Sequence, residues 1–321
     1  MNFPATPSDV FNFPSNFKGD VQIFHANNQS TINYQQWIKP RGTSMTYFFL
    51  VGGGGGGGGG HQKPSTTNGG GGGGGGSGSI TKLIIPSFLL PNSLYIRVGV
   101  GGLGGNVSTA GGAATTSHVL FSPLAYAAQN SLISSESTPA GGGGAGLVGA
   151  AGAAGTAADG AAGSVHSTLG IYSGVVGQAG GAGGAITGNN GTSITAWSIR
   201  PISSGAGGAS PSVGALPADF QGGSIASVSD FNFPKMNFTT VNSVAAGGGV
   251  FNPNLNGDAG INFIDGPFLQ SGGAGGGSAA LSTAGNGGKG GIGCGGGGGG
   301  AGTTGGRGGN GGNGMVAIFS W

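Results

Sequence analysis

Two uninterrupted glycine runs, residues 52–60 and 69–76, stand either side of the polar stretch 61–68. Glycine loses the most backbone entropy on ordering and has no side chain to bury, so neither a helix nor an ordinary sheet is built this way. Such runs are either flexible linkers or parts of a lattice in which the missing side chain is what permits close approach. Nine residues of an extended threefold helix span roughly 28 Å at about 3.1 Å each and present every N–H and C=O sideways. One such rod is merely solvated, whereas several side by side satisfy one another's backbone groups. A polyglycine-II bundle of that kind needs many passes through one domain. Further glycine-rich passes occur at 141–163, 177–191, 205–208, 247–249, 272–277 and 285–314.

The rest of the composition narrows the choice. Glycine makes up 83 of 321 residues, charged residues only 6%, and apolar residues 36% with 17 phenylalanines, the reverse of a disordered chain. Strict Gly-X-Y is absent and 15 prolines are too few for collagen. Ten basic residues against eight acidic ones, with no basic cluster, argue against nucleic acid as a partner. The single cysteine, Cys294, rules out an intrachain disulfide framework. The segment Met1-Asn-Phe-Pro-Ala-Thr-Pro7 lacks the basic and apolar regions of a signal peptide, and no stretch approaches the roughly 20 apolar residues of a membrane span. The expectation is therefore no membrane insertion, with release by lysis inside a virus particle as a route to an external role.

Between the glycines the chain reads as strands. Residues 18–25 alternate Val21 and Ile23 with polar neighbours, and 31–37 read as the next strand. Residues 45–51 are β-branched and aromatic and run straight into glycine. Residues 80–85, bounded by Pro86 and Pro91, are followed by the alternating 94–98, which again enters glycine, and 315–321 leaves it. Three strands abutting glycine predict one small sheet, built from the N-terminal, 80–100 and C-terminal segments, from which the rods spring. The predicted class is all-β with a polyglycine-II bundle and no substantial α-helix. Its parts are an N-terminal β region, 1–51, sharing its sheet with 80–100 and 315–321, and a glycine-rich region, 52–314, with inserted strands and loops.

A period of three shows at Gly149, Gly152 and Gly155, and in the Gly-Gly-X repeat of 305–314. In a threefold helix the X side chains share one side. Arg307, Asn310 and Asn313 are then expected on the outer face, where replacing Asn310 by serine is nearly silent, while Gly56, Gly72, Gly305, Gly308 and Gly311 pack inward as structural glycines.

Two segments carry a resemblance. Trp37-Ile-Lys-Pro-Arg-Gly-Thr-Ser-Met-Thr-Tyr-Phe-Phe-Leu-Val-Gly resembles a Trp-x-x-Pro-x-Gly entry into glycine in glycine-rich virion proteins of tailed and marine phages. The ending Gly-Gly-Arg-Gly-Gly-Asn-Gly-Gly-Asn-Gly-Met-Val-Ala-Ile-Phe is similar to their closing rod and strand. The plan also resembles tip adhesins of T-even-type phage tail fibres, whose polyglycine-II helices form a sandwich with loops at one end against the bacterial surface. The likeness covers the glycine-rich architecture and both flanking strands and is compositional in the middle. It implies a structural protein on the outside of a phage virion, a spike, fibre tip or adhesin, with other virion proteins and a host surface glycan or outer-membrane protein as partners. A capsid decoration or minor shell protein without a receptor role, and a cellular matrix or fibril protein, are the alternatives.

The motifs that carry chemistry are sparse. Residues 99–104 satisfy GxGxxG, but no helical periodicity follows to offer its N-terminus to a phosphate. Residues 285–290 lack the Ser or Thr that a P-loop places after its lysine. Residues 252–258 imitate half an EF-hand with Asp258 and Asp265 as weak calcium candidates, yet Phe263 stands where the bidentate glutamate belongs. His25, His61, His118 and His166 are far apart, and Glu136, the only glutamate, reads as part of an exposed loop. No enzyme activity and no cofactor are expected. Cys294 reads as a small residue accommodated in a rod. The aromatic excursions are the binding candidates: Trp197, Arg200 and Tyr126 as receptor contacts, with Phe231, Phe233 and Phe238 read as a buried strand face.

Overall fold

Each stretch of β-branched and aromatic residues beside glycine becomes a strand, because such side chains pack on a pleated surface and the neighbouring glycines offer nothing to pack. The computed structural model describes residues 19–27, 34–62, 68–124, 130–136, 139–158, 170–196, 201–212, 218–227, 245–249, 255–263 and 269–321. Its strands are β1 (Asp20–His25), β2 (Gln35–Ile38), β3 (Met45–Val51), β4 (Ile80–Pro86), β5 (Ser93–Arg97), β6 (His118–Leu120), β7 (Ser131–Ser134) and β8 (Ile171–Val175). The shorter ones follow: β9 (Ile194–Ala196), β10 (Ile225–Ser227), β11 (Asn262–Phe263), β12 (Leu269–Gln270), β13 (Ala279–Thr283) and β14 (Gly302–Thr304), before β15 (Met315–Ser320). Among the described residues there is no α-helix; one 3-10 turn, Ser87–Leu89, follows Pro86. The fold is all-β, with several antiparallel sheets.

The single sheet expected from the sequence is two. β1, β15, β3, β4 and β8 form one antiparallel sheet in that order, and β2, β5, β6 and β7 form the other. The strand at 93–97 thus pairs with Gln35–Ile38 and not with β4. The physical reason is burial. Thr46, Phe48 and Leu50 on β3, Leu83 and Ile85 on β4, and Val316 and Ile318 on β15 project from one face and need a cover. Trp37, Leu94, Ile96, Val119 and Ile133 of the second sheet supply it in one shared core. Trp37 meets Phe48 edge-on, with ring centroids 6.1 Å apart.

Register decides which side chains enter that core. Phe24, Val316, Leu50 and Thr81 lie in one row across β1, β15, β3 and β4. Phe24 is accordingly buried and Ile23, one residue away, is 41% exposed. The strand expected from the Val21/Ile23 alternation is present, but its inward residue is Phe24. β15 is buried throughout because it lies between β1 and β3.

At the opposite ends of these strands the chain continues as glycine. Residues 52–60 and 69–79 are buried along their whole length. The amides of the first run point in turn to three neighbours. Gly54, Gly57 and Gly60 donate to Gly312, Gly309 and Gly306 at 2.9, 2.8 and 2.9 Å. Gly55 and Gly58 donate to Gly76 and Gly73 at 2.9 and 2.8 Å, and Gly56 and Gly59 to Gly112 and Thr109 at 3.0 and 2.8 Å. Every third residue therefore serves the same neighbour. The pass at 294–300 repeats the scheme, with Gly296 and Gly299 donating to Gly55 and Gly58, both at 2.9 Å. Passes leaving the sheets and passes returning to them mix parallel and antiparallel neighbours, a choice open to backbone that bonds sideways without a pleat.

Where a pass has no further neighbour, its outward N–H groups are met by side chains. Asn310 Oδ1 accepts from Gly104 at 2.7 Å, Asn313 Oδ1 from Gly101 at 3.0 Å, and Asn286 Oδ1 from Arg307 at 2.8 Å. Asn190, Ser193, Asn256 and Ser271 accept backbone N–H groups in the same way. Arg307, Asn310 and Asn313 are exposed, as expected from the repeat, but the asparagines are bonded to the adjacent pass. In the 149–155 repeat, Gly152 and Gly155 donate to Gly71 and Gly74 at 2.8 Å, whereas Gly149 sits in a turn at φ +73.

Candidate functional site

The array has two ends with different chemistry. At the junction with the first sheet, Val51, Ile80, Met315, Ile202 and Cys294 form a small apolar cluster. Beside it is a buried polar layer. Ser117 Oγ donates to the Val51 carbonyl at 2.7 Å and accepts the Gly99 N–H at 2.9 Å. Glu136, expected in an exposed loop, is only 1% exposed, and its Oε2 accepts the Ser79 N–H at 3.1 Å. Gly52 abuts this carboxylate so closely that a Cβ there would overlap it. Burying a carboxylate is tolerated when backbone and hydroxyl groups donate to it. The Ser79 hydroxyl also donates to Oε2, at 2.8 Å.

Cys294 opens the pass 294–300 directly after a tight turn: its N–H donates to Gly291 at 2.9 Å, its carbonyl accepts from Gly312 at 2.8 Å, and Gly293 takes φ +70. The thiol is fully buried, and burial pushes its pKa up to about 12. His118, on β6, is held down to about 4 by burial and by the neighbouring Arg97.

At the far end, tight turns connect the passes. The turn at 106–109 closes with Thr109 N–H to Asn106 at 2.9 Å, and Ser108 there takes φ 57. Leu147 and Ala150 bridge each other across Gly149, leaving Leu147 and Val148 49% and 67% exposed. Gly188 turns the chain at φ +90.

Of the residues picked from the sequence, Trp197, Arg200 and Tyr126 lie outside the described residues, as do Phe231, Phe233, Phe238, His166 and Asp265. The described neighbours of Trp197 and Arg200 are informative: Ala196 is fully buried, and Ile202 packs in the junction cluster. Ala196 belongs to a second apolar cluster, with Ala206, Ile225, Ala245 and Ala274. Tyr126 belongs to the separate β6–β7 connection, where Tyr34 Oη donates to the Leu124 carbonyl at 2.8 Å. Asp258 Oδ2 accepts the Ala246 N–H at 3.2 Å, one more edge cap. Among the described residues no group of three or more His, Cys, Asp or Glu is assembled that could hold a metal ion. Gly56, Gly72, Gly305, Gly308 and Gly311 all face backbone of an adjacent pass, the carbonyls of Leu103, Gly58, Gly60, Gly57 and Gly54 respectively.

Sequence reasoning missed the edge-capping asparagines, serines and aspartate as a functional class of residue. The Gly-Gly-X repeat contained the signal: X must reach a neighbour's N–H, and a short acceptor side chain suits that. Residues 99–105 are an extended pass and no helix follows them among the described residues. No helix of the described residues is long and apolar enough to cross a membrane. No family model matches the chain, and no curated protein matches it either.

Proposed function

We propose that the chain is a structural protein on the outside of a phage virion, a spike, fibre tip or adhesin whose shaft is a polyglycine-II bundle. The observation that carries the shaft is the threefold sequence of lateral hydrogen bonds along 52–60, repeated in 294–300. Every amide in such a rod is committed to a neighbour, so the bundle resists bending and local fraying without a conventional core. The resemblance of the two glycine-flanking segments supports the virion assignment, and the β-sandwich gives the shaft a base. Its partners are other virion proteins and a host surface glycan or outer-membrane protein, with Trp197, Arg200 and Tyr126 as contacts. No catalytic role is part of the proposal.

Two measurements test it. A low-resolution map of purified particles should place the protein at a vertex or tail tip; an even spread over the capsid supports the decoration reading, and absence from the particle refutes the virion assignment. Particles carrying Trp197→Ala with Arg200→Ala should keep their thermal stability and adsorb to host cells more slowly, because truncating a binding hot spot costs about 2 kcal/mol or more. Unchanged adsorption with lowered stability means that the pair caps the bundle instead.

A further inference from the structure

A cleft of about 380 Å³ opens where the end of β1 meets the glycine array. Its floor is the buried backbone of Gly290, Gly291, Gly312 and Gly314, which carry no side chains. Four exposed polar side chains stand around it: His25, Asn262, Lys289 and Asn313. Both carboxamides are oriented by the array itself. The Ile292 N–H donates to Asn262 Oδ1 at 2.8 Å, and the Gly101 N–H donates to Asn313 Oδ1 at 3.0 Å. With their oxygens committed, what each offers a ligand is its NH2 group. Lys289 adds an ammonium group with three donors. Among the described residues no carboxylate lines the cleft.

A rim of donors without an opposing acid selects an anion. The volume lies at the lower end of the roughly 300–1,000 Å³ of small-molecule sites, room for one sugar ring and more than a bare inorganic ion needs. One fixed cation matches a single negative charge, and the neutral donors of two asparagines suit the remaining oxygens of a carboxylate and its neighbouring hydroxyls. Ala26 and Ala259 leave space for the carbon face of a ring beside the flat glycine floor. We propose that this cleft binds an acidic sugar, a monosaccharide unit bearing one carboxylate, of the uronic acid class. The site stands on its own geometry and does not depend on the virion assignment, which particle imaging tests separately.

The test titrates the full chain with sodium galacturonate, with galactose and inorganic phosphate as comparators, by NMR or calorimetry. Galacturonate should bind saturably and at least about tenfold more tightly than galactose, and more weakly as salt is raised. Lys289→Gln should lose about tenfold or more in galacturonate affinity with an unchanged melting temperature, and His25→Gln should weaken it as well, because both side chains are exposed and outside the core. Equal affinity for galactose and galacturonate, or a Lys289→Gln variant that binds normally, overturns the proposal. Phosphate binding more tightly than galacturonate overturns its sugar part. So does failure of the folded wild-type chain to saturate by about 100 mM galacturonate.

Discussion

Replacing Gly56 by valine tests the array at its centre. The Gly56 N–H donates to Gly112 at 3.0 Å and its carbonyl accepts from Gly143 at 2.8 Å, so the residue is held on two sides. On a third side a Cβ would lie well within 3.0 Å of the Leu103 carbonyl oxygen and carbon, which are backbone and cannot rotate away. Relieving the overlap moves the 99–105 pass by about 1 Å or more, since carbon contacts settle near 3.5–4.0 Å. That pass is bonded to the same run through Gly102 N–H to Gly54 at 2.9 Å and Gly105 N–H to Gly57 at 2.8 Å. Overpacking costs about 1–3 kcal/mol. Two stretched or broken bonds between buried backbone groups add about 1–3 kcal/mol each. The reduced entropy of the unfolded chain returns only about 0.4–1 kcal/mol. A net loss of roughly 2–8 kcal/mol is expected, a large share of the about 5–15 kcal/mol that stabilises an ordinary domain. Gly19→Ala is the control: the nearest atom to a Cβ there is the Ser320 carbonyl oxygen at 3.7 Å. Chemical denaturation of the two variants, read by circular dichroism and tryptophan fluorescence, compares them. If Gly56→Val unfolds within about 1 kcal/mol of Gly19→Ala, the close backbone contacts are not what holds the array together.

Three further outcomes follow from the described contacts. Asn310→Ala removes the acceptor for Gly104 and should cost about 0.5–1.5 kcal/mol, with faster amide exchange at Gly104; a silent Asn310→Ala variant would contradict the edge-capping role. His118 stays neutral in the folded chain down to about pH 4, whereas the unfolded chain takes the proton near the ordinary value of 6.5. Stability should therefore fall as pH drops from 6.5 to about 4 and level off below, by at most about 3 kcal/mol, and His118→Gln should flatten that part of the curve. Cys294, buried and with its pKa near 12, should resist thiol reagents at neutral pH until the chain unfolds, so stoichiometric labelling of the native protein would refute its place in the junction cluster.

Local chemistry made much of this fold legible. Residues 45–51 and 315–320 are strands because their β-branched and aromatic side chains suit a pleated surface, and 52–60 cannot be one because it has none. The repeat at 305–314 told which residues turn outward, and Arg307, Asn310 and Asn313 do. It did not tell what Asn310 does there, because the N–H it accepts belongs to Gly104, far away in the chain. The same limit hid the buried setting of Glu136, whose Ser-Ser-Glu-Ser surroundings look solvated until Ser79 is brought against it. Alternation placed β1 but not its inward face, since Phe24 enters the core by register with Val316 on β15. The division into two sheets likewise followed from which apolar faces needed covering. The deepest gap lies in the glycines themselves. Neighbour choice in an ordinary sheet is written in complementary side chains, but Gly54 and Gly56 are chemically identical, and one bonds Gly312 and the other Gly112. The sequence by itself determined that glycine passes brought together must pack through their backbones, with every third residue of a threefold helix facing the same way. Which pass stands beside which was decided by the tertiary structure alone, through the strands that anchor each pass and the turns that return it.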